Sequence, residues 1–220
     1  MERQDDIIMN PKQENYRNLA ETIIKKFNAR GIEGYYCDDR EEANAKAKRF
    51  LTPDCSISWG GSATLSEIGL IDDLKETDDY TIYDRSTAKS PDEARELFGK
   101  IVTADYYFMS SNAITLDGEL VNIDGAGNRV ACLCHGPKNV IVIAGMNKIV
   151  DSAESGIART RNIAAPPNAI RLGLNTPCAV SGKCQDCLSD GCICGQIVVT
   201  RMSRVPGRIK VILVGEELGY

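Results

Sequence analysis

Residues 110–150, SSNAITLDGELVNIDGAGNRVACLCHGPKNVIVIAGMNKIV, decide the fold. Near the end of this stretch, residues 139–144 (NVIVIA) are almost wholly apolar. A run of that length needs cover on both faces, as in the middle of a parallel sheet. Residues 104–109 (ADYYFM) read as a second buried strand and residues 209–214 (IKVILV) as another. Between the first two, residues 110–127 read as a turn-rich loop with a short strand at 119–121, and a helix follows whose first turn carries Arg129.

Working outward, the same alternation continues. Leu19, Ile23, Ile24 and Phe27 share one face of a helix predicted over 15–30, which Gly31 ends. A strand at 33–36, a helix at 40–51 that stops before Pro53, and a strand at 55–59 follow. Then come a glycine turn at Gly60 and Gly61, a helical ATLSEIGL, a strand at 80–83, and a helix to Val102 with Ser90 as cap and Pro91 in its first turn. A further helix is expected over 151–164. Strands separated by helices predict a three-layer α/β/α domain with a mostly parallel sheet. The expected organisation is a flexible tail at 1–14 and a single domain at 15–220, with a cysteine-rich insertion at 178–194.

The chain has 220 residues, 43% of them hydrophobic, and a formal net charge of −5. With no broad basic field, nucleic acid is not the expected partner. No run near 20 apolar residues and no signal-peptide core occur, so the expectation is a cytoplasmic protein without a membrane anchor. Nine cysteines in a reducing compartment point to free, metal-bound or redox-active thiols rather than a disulfide framework. Subunit number is not fixed by the chain, and a homo-oligomer is compatible with it.

Three loops carry the candidate ligand groups. Gly60, Gly61, Ser62 and Thr64 lie between a strand and a helix, where backbone N–H groups converge on an anion, although Ser62 as a plain helix cap explains them equally well. Ser111, Asn112, Asn122, Asp124, Gly125, Gly127, Asn128 and Arg129 crowd the carboxyl end of the strand read at 104–109, where open parallel sheets collect ligands. Asp117-Gly118 closing a hairpin and Asp124 capping a helix are the plainer readings of those acids. Lys148 follows the most hydrophobic strand and emerges at the same edge, as an anion ligand or as a solvated loop charge. Asp117, Asp124 and Lys148 are the candidate catalytic groups. Arg159, Arg161 and Arg171 form a weaker cationic set, read by default as solvated. His135 reads as a helix-end residue, and Cys132 and Cys134 as buried small apolar residues.

Cys178, Cys184, Cys187 and Cys194, spaced C-x5-C-x2-C-x6-C in a polar stretch with Cys192 beside the last, suit metal ligation. A [4Fe-4S] cluster, a structural zinc site and reduced thiols all remain open. The missing second C-x2-C pair tilts the reading away from zinc.

The 110–150 stretch, with SWGGSATLSEIGL before it and TPCAVSGKCQDC after it, resembles the LUD-domain family that includes lactate-utilization protein C subunits. The likeness spans about residues 15–220. It implies a fold similar to the ribose-5-phosphate isomerase and CoA-transferase group. It also implies a link to L-lactate oxidation beside iron–sulfur partner subunits, on a small anionic metabolite. The isomerase relatives' G-A-D aspartate is absent, because Ser111-Asn112-Ala113 stands there, and no Glu-Asn-Gly tripeptide of the CoA-transferases occurs. An isomerase or acyl-transfer enzyme acting on a phosphorylated sugar or CoA ester, and a non-catalytic zinc-stapled sensor or scaffold, are the alternatives.

Overall fold

The computed structural model describes residues 10–220. Helix α1 (Pro11–Ala29) begins earlier than residue 15, because Asn10 Oδ1 accepts the Lys12 N–H at 2.9 Å and Pro11 occupies the first turn. Residues 1–9 of the expected tail lie outside the described residues. In chain order follow β1 (Glu33–Cys37), α2 (Arg40–Lys48), β2 (Ser56–Trp59), α3 (Ala63–Glu67), α4 (Leu70–Lys75), β3 (Thr81–Ile82), α5 (Pro91–Val102) and β4 (Tyr106–Met109). Then come β5 (Ala113–Thr115), β6 (Leu120–Asp124), α6 (Asn128–Cys134), β7 (Asn139–Gly145), β8 (Ile149–Val150) and α7 (Ala153–Arg159). The chain closes with α8 (Ala165–Arg171), α9 (Pro177–Ser181), β9 (Gln196–Thr200) and β10 (Ile209–Val214).

Six strands make one parallel sheet in the order β1-β10-β7-β4-β2-β3. On one face Ile23 and Phe27 of α1, Ile101 of α5 and Leu133 of α6 pack with Val140, Val142 and Ala144. On the other, Ala43 and Ala47 of α2, Leu65 of α3 and Leu74 of α4 pack with Ile141 and Ile143. Alternate β7 side chains thus enter opposite layers, and each large one contributes roughly 1.5–3 kcal/mol by leaving water. The three-layer α/β/α architecture follows from that double burial.

Several features depart from the sequence reading. The 110–127 segment is more than a loop: β5, β6, β8 and β9 form a second sheet in the order β8-β5-β6-β9, lying over the α1 side of the core through Ile114 and Leu120. Strand β9, directly after the cysteines, carries no helix between itself and the loop and so broke the expected alternation. The predicted 151–164 helix also runs further, through a π-helical turn at Thr160–Ala164 into α8. Pro166 and Pro167 lack N–H donors and would clash with carbonyls one α-turn back, and the widened turn accommodates them without breaking the rod. Cys132 is buried as expected but Cys134 is exposed, because it sits at the last turn of α6. No helix among the described residues is long and apolar enough to cross a membrane.

Candidate anion site and its cysteine wall

Strands β2, β4 and β7 are neighbours or next neighbours in the sheet, so the loops leaving their carboxyl ends share one rim. A cavity of about 260 Å³ opens there. The β2 loop supplies Gly61, Ser62 and Thr64, the β4 loop Ser110, Ser111 and Asn112, and the β7 loop Lys148. The turn from β6 into α6 adds Asp124, Gly125, Asn128 and Arg129.

Four sequence-expected residues stand elsewhere. Gly60 lies behind the rim, where a Cβ would come within 2.9 Å of the Tyr107 hydroxyl and 3.1 Å of Arg129 Cδ. Its missing side chain leaves room for Arg129. Gly127 caps α6 from outside the cavity. Asn122 is fully buried, donating to Ser111 Oγ at 3.2 Å and accepting from Arg129 at 2.5 Å, so it positions Arg129 without facing the cavity. Asp117 does not join the site: it sits in the exposed β5–β6 turn, 3.4 Å from Lys26 Nζ of α1. That turn lies at the far end of the hairpin from Asp124.

Local roles proposed for the acids and Ser62 are present as well. Asp124 Oδ2 accepts the N–H groups of Arg129 at 2.9 Å and Val130 at 3.1 Å, which ties down the first turn of α6. Ser62 Oγ accepts the Leu65 N–H at 3.3 Å. Helix α3, which it caps, is a single turn, so its dipole adds little to an anion seat. Glu67 accepts the Gly219 N–H at 2.7 Å.

Lys148 is only 4% exposed, and the solvated-charge alternative does not describe it. Its Nζ donates to Thr64 Oγ1 at 2.9 Å and Ser110 Oγ at 3.0 Å, two neutral hydroxyls. Burial pulls the amine down to about 7; repulsion from Arg159 and Arg129 adds to this and attraction from Glu67 opposes it. Arg129, also pulled down by burial, spends both terminal nitrogens on the Ser110 and Ile123 carbonyls and on Asn122 and Asn112. It offers the cavity charge rather than open donors. Arg85 and Arg171, exposed at the mouth, supply those.

Arg159, assigned by default to solvent, is 9% exposed. It donates to the main-chain oxygens of Asn147 at 3.2 Å, Asn112 at 2.8 Å and Tyr220 at 3.2 Å, joining the β4 and β7 loops behind the wall. Among the described residues none of Lys148, Arg129 or Arg159 has a side-chain carboxylate at salt-bridge distance. Among the described residues Asp124 is the one acidic side chain lining the cavity, against Arg85, Arg129, Lys148 and Arg171. Positive charge in low dielectric without a counter-ion is costly, and a bound anion relieves it.

Gly219 closes the back of the site at φ 60°, and a Cβ there would meet Thr64 Oγ1 at 2.6 Å and Lys148 Nζ at 3.2 Å. Gly219→Ala is therefore expected to cost about 1–2 kcal/mol of stability from the left-handed backbone alone. Urea denaturation checks this, and an unchanged midpoint would contradict it.

Beside this cavity lies a second, of about 120 Å³, lined by Cys178, Cys184, Cys187 and Cys194 and also by Cys192. All five thiols are free. Ala165, Ile193 and Cys194 face both cavities, so the cysteine loop is a wall of the anion site. Several sulfurs accept or share hydrogen bonds: Cys184 from the Asp186 N–H at 3.4 Å, Cys192 from the Cys194 N–H at 3.4 Å, Cys178 with Thr176 Oγ1 at 3.3 Å. An Arg161–Asp186 ion pair fastens the loop to the π-helical turn. Among the described residues no three His, Cys, Asp or Glu side chains are grouped to hold one metal ion.

Fold and site together define an α/β domain with a cation-lined cavity at the carboxyl edge of its parallel strands and a thiol-rich loop for a wall. The LUD domain family model matches residues 20–214, and the chain belongs to that family. No curated protein matches it. Among solved structures, a DUF162 family protein from Deinococcus radiodurans aligns over 92% of this chain and 98% of its own, at 15% identity and a TM-score of 0.51, which speaks to the fold. eIF2B delta from Chaetomium thermophilum aligns over 50% of this chain and 48% of its own, at 19% identity and a TM-score of 0.35, too low to bear on either fold or site.

Proposed function

We propose that this protein binds a small anionic metabolite, L-lactate or a similar hydroxy acid, and assists its oxidation beside a cysteine-held iron–sulfur centre. The observation that carries the reading is the set of four cations, Arg85, Arg129, Lys148 and Arg171, lining with the single carboxylate of Asp124 a cavity that shares a wall with the cysteine loop. Membership of a family associated with lactate utilization supports the general kind. In this reading Lys148 and the mouth arginines neutralise the carboxylate, and Ser110 and Thr64 orient a neighbouring oxygen.

The centre in this reading is a cluster rather than a single zinc, because the second C-x2-C pair common in zinc sites is missing. The four cysteines line one cavity, and the Asp186 N–H donates to Cys184 Sγ at 3.4 Å, as backbone donors do to cluster thiolates. Cys178, Cys184, Cys187 and Cys194 would hold it, and bound there it would supply one-electron transfer. Val180 and Leu188, 82% and 98% exposed on the same loop region, offer an apolar surface for an iron–sulfur partner subunit. Asp124, its Oδ2 committed to two main-chain N–H groups, supports a fixed anion seat more than the base an isomerase needs.

Anaerobic purification followed by iron, labile sulfide and zinc analysis tests the centre. Iron and sulfide in comparable amounts with broad visible absorbance are expected. Zinc alone, or no metal, would remove the electron-transfer role.

A further inference from the structure

We infer that Lys148 is a nucleophile that forms an imine with the carbonyl carbon of a 2-oxo acid seated in this cavity. The inference rests on the anion-site reading above and adds covalent chemistry to it. A lysine kept only for charge usually meets a carboxylate, and among the described residues Lys148 has none at salt-bridge distance: it is buried, lines the cavity, and contacts two hydroxyls. Burial near two guanidinium groups leaves a large fraction of its amine unprotonated at neutral pH. Such desolvated lysines beside other cations are the ones that attack carbonyls. Arg85 and Arg171 at the mouth suit the acid's carboxylate. A cavity of about 260 Å³ admits a small acid.

The step balances without a redox partner. The Nζ lone pair adds to C2 and forms the C–N bond, while the C2–O π pair moves onto oxygen. Both amine protons pass to that oxygen, with the Thr64 and Ser110 hydroxyls at 2.9 and 3.0 Å as the relay. The C–O bond then breaks, water leaves, and the nitrogen is doubly bonded to C2.

Pyruvate with cyanoborohydride is the test, run on the whole protein and read by intact mass and peptide mapping. The expected product is one added group per chain, with the mass of pyruvate less one oxygen atom, on the peptide bearing Lys148. Lys148→Met should lose that label, and Ser110→Ala should slow its formation. Calorimetry of pyruvate on unmodified protein separates the two levels of the argument. Binding without label at Lys148, or label spread over surface lysines and unchanged in Lys148→Met, overturns the imine and leaves the anion site standing. Absence of both binding and label overturns the imine, and overturns the anion site too when L-lactate and phosphate also give no saturable heat.

Discussion

Lys148→Met is expected to raise stability, an unusual outcome for a buried substitution in a functional site. The folded protein holds Lys148 near 7, whereas the unfolded chain holds it near its ordinary 10.5. Between those values the unfolded chain carries a proton that the folded protein lacks, so wild-type stability climbs as pH rises from about 7 to about 10. At and below about pH 7 the full cost of burying the charge is present; above about pH 10 it is gone. Methionine removes that cost and forfeits hydrogen bonds to Thr64 and Ser110 of about 1 kcal/mol each. The net gain near pH 7 should be roughly 2–3 kcal/mol, or roughly 5–10 °C in Tm. It should shrink to nothing or reverse at about pH 10. Thermal unfolding across that range reads it, and a variant less stable than wild type at pH 7 would show that the lysine is well paired there.

The second large effect concerns the wall. Cys184→Ser with Cys187→Ser is expected to abolish bound iron and visible absorbance, and also to weaken anion binding several-fold. The linkage is structural: the loop that carries these thiols brings Ile193 and Cys194 to the anion cavity. Releasing the loop moves part of that wall. Metal content and anion affinity, measured on the same anaerobic preparations, check both halves. A fall in Tm with anion affinity unchanged would mean that the loop is a staple only, as in the zinc-scaffold alternative.

How much of this could be read from the chain depended on what each signal measures. The 139–144 run announced a doubly buried strand because uninterrupted apolar residues have no other economical place, and β7 occupies that place. Once that strand and 104–109 were parallel neighbours, their following residues had to share a rim, which is why Ser111, Asn112 and Lys148 were found together. Asp117 and Asp124 both precede glycine and looked alike. Only the direction of the β5–β6 hairpin sends one to α1 and the other to the cavity. Arg159 was missed because its acceptors, the main-chain oxygens of Asn112, Asn147 and Tyr220, come mostly from distant parts of the chain. Helical periodicity tells which residues share a face, not that a charged one turns inward. Strand β9 was missed because its residues are exposed or half-buried along its whole length, which leaves no buried, alternating face to read, although it pairs with β6 over five residues.

The central claim is that a cation set into the rim of the parallel sheet holds a small anion. Calorimetric titration of L-lactate, pyruvate and phosphate into wild-type protein at a series of pH values tests it most directly. The account predicts one saturable site per chain for at least one of the three and, for L-lactate or phosphate, which form no imine, affinity falling about tenfold for each pH unit above about 7 as Lys148 loses its charge. No saturable heat from any of the three, or an affinity for L-lactate or phosphate that stays level from about pH 6 to about pH 9, would contradict it.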